Sequence, residues 1–330
     1  RSIPPNWERE RNEAIMKQLF ITSVRDFEKN TMGTVEMREM PMPEPAEDEV
    51  RIKIIYSSIC GSDAHTLTGH LGEFEEGTKA MLPMTFGHEL SGVIDKVGPK
   101  AEALGYHVGD KVIANYAKYC YACDNCRSGH ENLCSHVQFC MNGFAEYAVY
   151  HVTQVHKLPE NYDLETAALI EPLAVTVHAA KRFPDINGAN VSIIGCGPIG
   201  ILLMQSCKAL GVAKVLITDI SDYRLELAKS LGADYAINTA KVPYADAIAE
   251  VFGPDKADVT YECAGNNATT DMAIQNSRKG SVIVLVAVFA DWAKVDLARL
   301  NDSELTLDTS MMYRHEDYVD ALRFVAEAAH

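Results

Sequence analysis

The chain has 330 residues, 47% of them hydrophobic and 23% charged, a balance that suits about two globular domains. Its formal net charge of −16 would be repelled by a phosphate backbone or an anionic bilayer, so neither nucleic acid nor membrane is an expected partner. The longest apolar run, residues 282–290, is far shorter than the roughly 20 residues of a spanning helix, and the opening stretch RSIPPNWERERNEAI lacks the apolar centre of a signal peptide, so a cytoplasmic location is expected.

In chain order, residues 16–160 carry short apolar runs broken by Gly and Pro: VRIKIIYSSIC (50–60), LSGVIDKVG (90–98), GDKVIAN (109–115) and AEYAVYHVTQVHKLP (145–159). Helical periodicity is scarce there, which predicts an antiparallel β domain. Three stretches in or next to it carry metal-ligating side chains: SSICGSDAHTL (57–67), TFGHEL (85–90) and LIEPLAVTVHA (169–179). They supply Cys60, His88, Glu89 and Glu171. A catalytic zinc takes about three such ligands and keeps one position open. Each stretch alone is a weak signal, because a single Cys is usually core and a single His-Glu pair usually surface.

CYACDNCRSGHENLC, residues 120–134, places Cys120, Cys123, Cys126 and Cys134 at C-x2-C-x2-C-x7-C spacing. Four thiolates so spaced suit a tetrahedral zinc. An iron–sulfur cluster is the rival, although no second cysteine set accompanies the loop. A zinc with four cysteine ligands has no place for substrate, so this metal is expected to staple a loop and not to catalyse. The nine cysteines are an odd number in a long chain, which argues against a disulfide framework.

Further on, VSIIGCGPIG (191–200) runs from an apolar strand into Gly195-x-Gly197-x-x-Gly200, followed by the helical pattern ILLMQSCKALG. Gly195 permits the tight turn, Gly197 lets the backbone approach a pyrophosphate, and Gly200 lets the helix pack on the strand. Pro198 and Ile199 complete the turn at the helix N-terminus that would meet the phosphates. A second strand, KVLITD, ends in Asp219, whose carboxylate suits the ribose hydroxyls of NAD and would repel the 2′-phosphate of NADP. Arg224 keeps NADP open. Strands and helices then alternate to about residue 310, which predicts a doubly wound parallel sheet.

These motifs, in this order, resemble the zinc-dependent medium-chain dehydrogenase/reductase family from about Met16 to the end of the chain. The resemblance implies an α/β fold with a GroES-like antiparallel β catalytic domain (16–171), a Rossmann NAD-binding domain (172–330) and an N-terminal extension (1–15). Glu171, followed by Pro172, stands where simple alcohol dehydrogenases carry a zinc-ligating cysteine, and so resembles the polyol branch of sorbitol, butanediol, threonine and glucose-type enzymes. In that branch Cys60, His88 and Glu89 would hold the catalytic zinc with a water, and Glu171 would sit beside it, binding it directly or through that water. Asp63 would accept the second ring N–H of His88. Ser62 would take the proton of the substrate hydroxyl and His65 would pass it to solvent.

The expected activity is oxidation of a secondary alcohol such as a sugar alcohol, an inositol or 2,3-butanediol to a ketone. Zinc would acidify the hydroxyl and NAD would accept hydride. Threonine, glucose or a polyol phosphate are the alternative substrates; a non-catalytic NAD- and zinc-binding protein is the alternative of another class. A homodimer or homotetramer is implied. His70, His107, His130 and His178 have no motif role and are expected to be structural or at the surface. Arg314 and His315 could meet a phosphate or simply form a solvated turn.

Some features depart from the family. Tyr121 follows Cys120 where glycine is usual, and no role is assigned to Cys140. The chain stops within an apparent helix, EDYVDALRFVAEAAH, so the usual C-terminal return to the catalytic domain is expected to be missing.

Overall fold

The computed structural model describes residues 14–69, 79–289 and 292–328. Residues 1–13 of the expected extension, and His70, lie outside the described residues. The chain divides into two compact units, residues 1–127 with 133–171, and residues 128–132 with 172–330.

The first unit is built from antiparallel strands. β1 (Ile15–Ser23) lies between β2 (Thr34–Pro41) and β4 (Met84–Thr85); β3 (Glu49–Ser58), β5 (Glu89–Val97), β6 (Lys111–Ala114), β9 (Tyr147–His151) and β10 (Val155–Lys157) form a five-stranded sheet in the order β10-β6-β5-β3-β9. β7 (Ala117–Lys118) and β8 (Gln138–Phe139) make a separate two-stranded ribbon. Alternate side chains of the larger sheet turn inward, so Val50, Ile52, Leu90, Ile94, Val112, Ala148 and Tyr150 share one buried cluster. Two irregularities in the β3–β5 register, near Arg51 and Ile54, bring Ser58 opposite Glu89. The sequence reading of an antiparallel β domain here agrees with these strands. SSICGSDAHTL contributes the helix Gly61–Thr68, and LIEPLAVTVHA opens the helix Ile170–Lys181. Pro172 is tolerated because it lies in the first turn, where its missing N–H has no partner to lose.

The second unit carries a six-stranded parallel sheet: β11 (Asn190–Ile194), β12 (Lys214–Asp219), β13 (Tyr235–Asn238), β14 (Val259–Glu262), β15 (Val282–Leu285) and β16 (Thr306–Thr309). Its order is β13-β12-β11-β14-β15-β16, so the strand order reverses between β11 and β14. That switch point is where an open parallel sheet leaves a crevice for a ligand. Helices Pro198–Ala209, Asp222–Ser230, Tyr244–Phe252 and Asn267–Asn276 connect successive strands. Both faces of the sheet are covered: Val191, Ile193, Val215, Ile217, Val259 and Tyr261 pack in one cluster, and Ile194, Leu216, Ile248, Ile274 and Ile283 in another.

One element is shorter than the sequence suggests. The apolar run 282–290 reads as one buried strand, but of its described residues, 282–289, only Val282–Leu285 form the strand; residue 290 lies outside the described residues. The carbonyl of Glu262 accepts from both Val286 and Ala287, which closes the ladder, and Val288 is two-thirds exposed. No described helix is long and apolar enough to cross a membrane.

Candidate active site

Register assembles the first side-chain set. β3 ends beside the start of β5, so Cys60, two residues beyond Ser58, reaches His88 and Glu89. One donor atom from each of Cys60, His88 and Glu89 lies within 4.8 Å of the others. His88 and Glu89 are buried. Burial pushes the Cys60 thiol up to about 12, against hydrogen bonds from Ser62, and the charges of Glu89 and Glu171 act in the same direction. Burial also raises the Glu89 carboxyl and brings the His88 imidazolium down to about 4, so the ring is neutral at pH 7. His88 Nδ1 is buried with no hydrogen-bond partner among the described residues. A soft sulfur, a neutral imidazole and a carboxylate converging on one point fit a zinc ion, which would supply the positive charge that this buried set lacks.

Two neighbours organise the set. Asp63, at the third position of the helix Gly61–Thr68, folds its carboxylate back over the helix start. There it accepts the Cys60 N–H at 3.0 Å and the Gly87 N–H at 3.3 Å. It therefore holds the backbones of two ligand segments, and does not accept from the His88 ring as the sequence suggested. The free N–H groups of a helix start are the nearest unsatisfied donors and capture the carboxylate. Ser58 Oγ donates to Glu89 Oε2. Sequence reasoning missed Ser58, because only the strand register places it there.

Glu171 is buried, and its charge acts on Cys60 and on the Tyr116 hydroxyl, but it is not part of the three-residue set. Ser62 and His65 are one helical turn apart on Gly61–Thr68, and so share a face. Ser62 is exposed and His65 half-buried.

The second set is Cys120, Cys123, Cys126 and Cys134, whose sulfurs lie within 4.8 Å of one another. Cys120 and Cys126 are 3.8 Å apart, Cys123 and Cys134 4.0 Å. Metal–sulfur bonds of about 2.3 Å around a tetrahedral ion put sulfurs near 3.8 Å, so the cavity fits one zinc. Backbone N–H groups of Cys120, Ala122, Cys123 and His136 point at the sulfurs at 3.3–3.4 Å. Hydrogen bonds from the Cys126 and Ser135 backbone bring the Cys123 thiol down to about 6, whereas burial pushes Cys126 up to about 12. Donors aimed at sulfur favour thiolate, the form that binds metal.

In the second unit the glycine turn lies between β11 and the helix Pro198–Ala209. Gly195 has φ of +103°, and a Cβ at Gly200 would sit 1.9 Å from the Gly195 carbonyl oxygen. A Cβ at Gly197 would meet nothing within 4 Å, which leaves room for a phosphate at the helix start. Asp219, at the end of β12, accepts from the Cys196, Ile220 and Ser221 N–H groups at 2.8–2.9 Å. Arg224 Nη1 is 3.7 Å from Asp219, and its side chain is half-exposed. The turn, Pro198 and Ile199 at the first helical positions, and Asp219 fit the pyrophosphate and ribose of a dinucleotide.

Comparison with known proteins agrees with this geometry. Residues 46–160 match the family model of the alcohol dehydrogenase GroES-like domain, and residues 198–327 that of the zinc-binding dehydrogenases. A sorbitol dehydrogenase of Halalkalibacterium halodurans is 34% identical over 89% of this chain and 85% of its own. An L-threonine 3-dehydrogenase of Anaeromyxobacter sp. (strain K) is 32% identical over 81% of this chain and 78% of its own. A crystal structure described as a zinc-binding dehydrogenase from Clostridium scindens superposes with a TM-score of 0.89 at 45% identity, covering 94% of this chain and 89% of that one. The chain belongs to the zinc-dependent medium-chain dehydrogenase family, in its polyol branch, and is an oxidoreductase that uses zinc and NAD to oxidise a small alcohol.

Proposed function

We propose that the protein oxidises a secondary alcohol of a polyol or diol to a ketone, with Cys60, His88 and Glu89 holding the catalytic zinc. The convergence of those three donors within 4.8 Å carries the reading. When bound, the zinc supplies Lewis acidity that makes a substrate hydroxyl easier to deprotonate. Glu171 would join the zinc directly or through a water and adjust its charge. Ser62 Oγ takes the hydroxyl proton and His65, on the same helical face, relays it outward. Gly195, Gly197, Pro198, Ile199 and Gly200 cradle the NAD pyrophosphate, Asp219 binds the adenosine ribose, and Arg224 lies at its edge. Cys120, Cys123, Cys126 and Cys134 hold the second, structural zinc. On this reading residues 16–171 are the catalytic domain and 172–330 the NAD-binding domain, in a cytoplasmic homodimer or homotetramer.

The named relatives support a polyol such as sorbitol first and L-threonine second. The test is NADH formation at alkaline pH across polyols, inositols, 2,3-butanediol, L-threonine and glucose, with and without a zinc chelator. A hit that the chelator abolishes supports the reading and names the substrate. Turnover that survives in Cys60→Ala or His88→Ala would overturn it.

A further inference from the structure

A metal-bound histidine is ordinarily oriented by an acceptor on its other ring nitrogen. His88 Nδ1 has no hydrogen-bond partner among the described residues, and the Asp63 carboxylate accepts from backbone N–H groups. Packing against a neighbouring ring is another way to fix the imidazole. The ring against it is Tyr116, with centroids 4.7 Å apart and planes tilted by 44°. Tyr116 is itself stacked on Phe139, at 5.5 Å and 22°. Both separations lie within the range of favourable aromatic pairs.

The stack has a backbone origin. Tyr116 immediately precedes β7, and Phe139 lies in β8, opposite Ala117. The Cys140 N–H donates to the Tyr116 carbonyl at 2.8 Å and extends the ribbon by one rung. The segment that joins β7 to β8 contains all four cysteines of the second set. Gathering four sulfurs round one ion fixes the ends of that segment, and with them the two strands that carry the rings. An isolated two-residue pairing would not hold by itself.

We propose that Tyr116 is a positioning residue for His88, and that the four-cysteine loop serves the catalytic metal through the Tyr116–Phe139 stack; this rests on Cys60, His88 and Glu89 forming the catalytic metal site. The second zinc then has a task beyond stapling: it braces the ribbon whose aromatic rings hold a ligand of the first.

The test is the rate of zinc release to a chromophoric chelator from the whole protein. The catalytic ion is identified as the one missing from Cys60→Ser, and the ligand-field spectrum of the cobalt(II)-substituted protein is recorded in parallel. Tyr116→Ala is expected to release the catalytic ion roughly tenfold to a hundredfold faster and to shift the cobalt bands of that site. Phe139→Ala should change both in the same direction by less. Tyr116→Phe, which keeps the ring, should behave as the wild type. Release of the four-cysteine ion should be unchanged throughout, which reports an intact fold. Wild-type release and spectrum in Tyr116→Ala or in the more exposed Phe139→Ala would overturn the proposal. A wild type that holds no ion dependent on Cys60 would instead overturn the metal-site reading beneath it.

Discussion

The Asp63 carboxylate accepts the backbone N–H of Cys60 at 3.0 Å, and so ties the first turn of a helix to the residue that offers a sulfur to the metal. Its other oxygen accepts from Gly87, one residue before His88. Asp63 is 3% exposed. Asp63→Ala leaves two N–H donors without their acceptor, at about 1–3 kcal/mol each where they stay buried. The expected outcome is a lower melting temperature together with loss of the Cys60-dependent ion and retention of the four-cysteine ion. Calorimetry with metal analysis checks both.

Two glycines three residues apart should behave differently. Gly200→Ala drives a methyl into the Gly195 carbonyl, 1.9 Å away, and cannot fit unless the helix moves off the strand. Gly197→Ala meets no protein atom within 4 Å but occupies the space left for phosphate. Gly200→Ala should therefore lower stability and NAD binding together, whereas Gly197→Ala should raise the KM for NAD at an unchanged melting temperature. Thermal unfolding and NAD titration of both variants separate the two effects.

Asp219→Ala removes a carboxylate that would bind ribose and repel a 2′-phosphate. Hydrogen bonds to a charged group contribute about 1.5–3 kcal/mol, so kcat/KM for NAD should fall roughly tenfold or more. Discrimination against NADP should relax, helped by Arg224 at 3.7 Å from Asp219. Steady-state kinetics with both cofactors measure it. An unchanged NAD-to-NADP ratio would remove Asp219 from the cofactor site.

Within the second unit, Asp317 accepts from His178 Nδ1 at 2.7 Å and from Lys181 Nζ at 2.8 Å. Burial alone would raise its carboxyl, but these bonds and the Arg314 N–H outweigh burial and hold it below the ordinary value. A carboxyl depressed in the folded state stabilises fully above its unfolded pKa, near 3.9, and loses that contribution as pH falls through the folded value. Asp317→Asn should be less stable than the wild type at pH 7, by roughly 3 kcal/mol for a broken buried pair, and the gap should close below about pH 4. Urea unfolding midpoints from pH 7 to pH 3 give the curve. The expectation of a structural or surface histidine at 178 resolves here to a buried one with a carboxylate partner.

Local pattern determined much of this protein. Four cysteines within fifteen residues must lie close whatever the rest of the chain does, and the glycine turn is confined by its own backbone. The alternation after Asp219 foretold the parallel sheet, because period and breaker residues act over a few residues. Cys60 lies 28 residues before His88, and nothing in the intervening spacing brings them together; at the sequence level the resemblance alone joined them. Tertiary structure decided the β3–β5 register that sets Ser58 against Glu89, the turning of Asp63 toward backbone N–H groups, and the seating of Tyr116 on His88. It also ended β15 at Leu285, since a strand continues only as far as its neighbour offers partners. Residue type and spacing constrain local backbone; register and side-chain direction depend on what another segment, distant in sequence, presents across the gap.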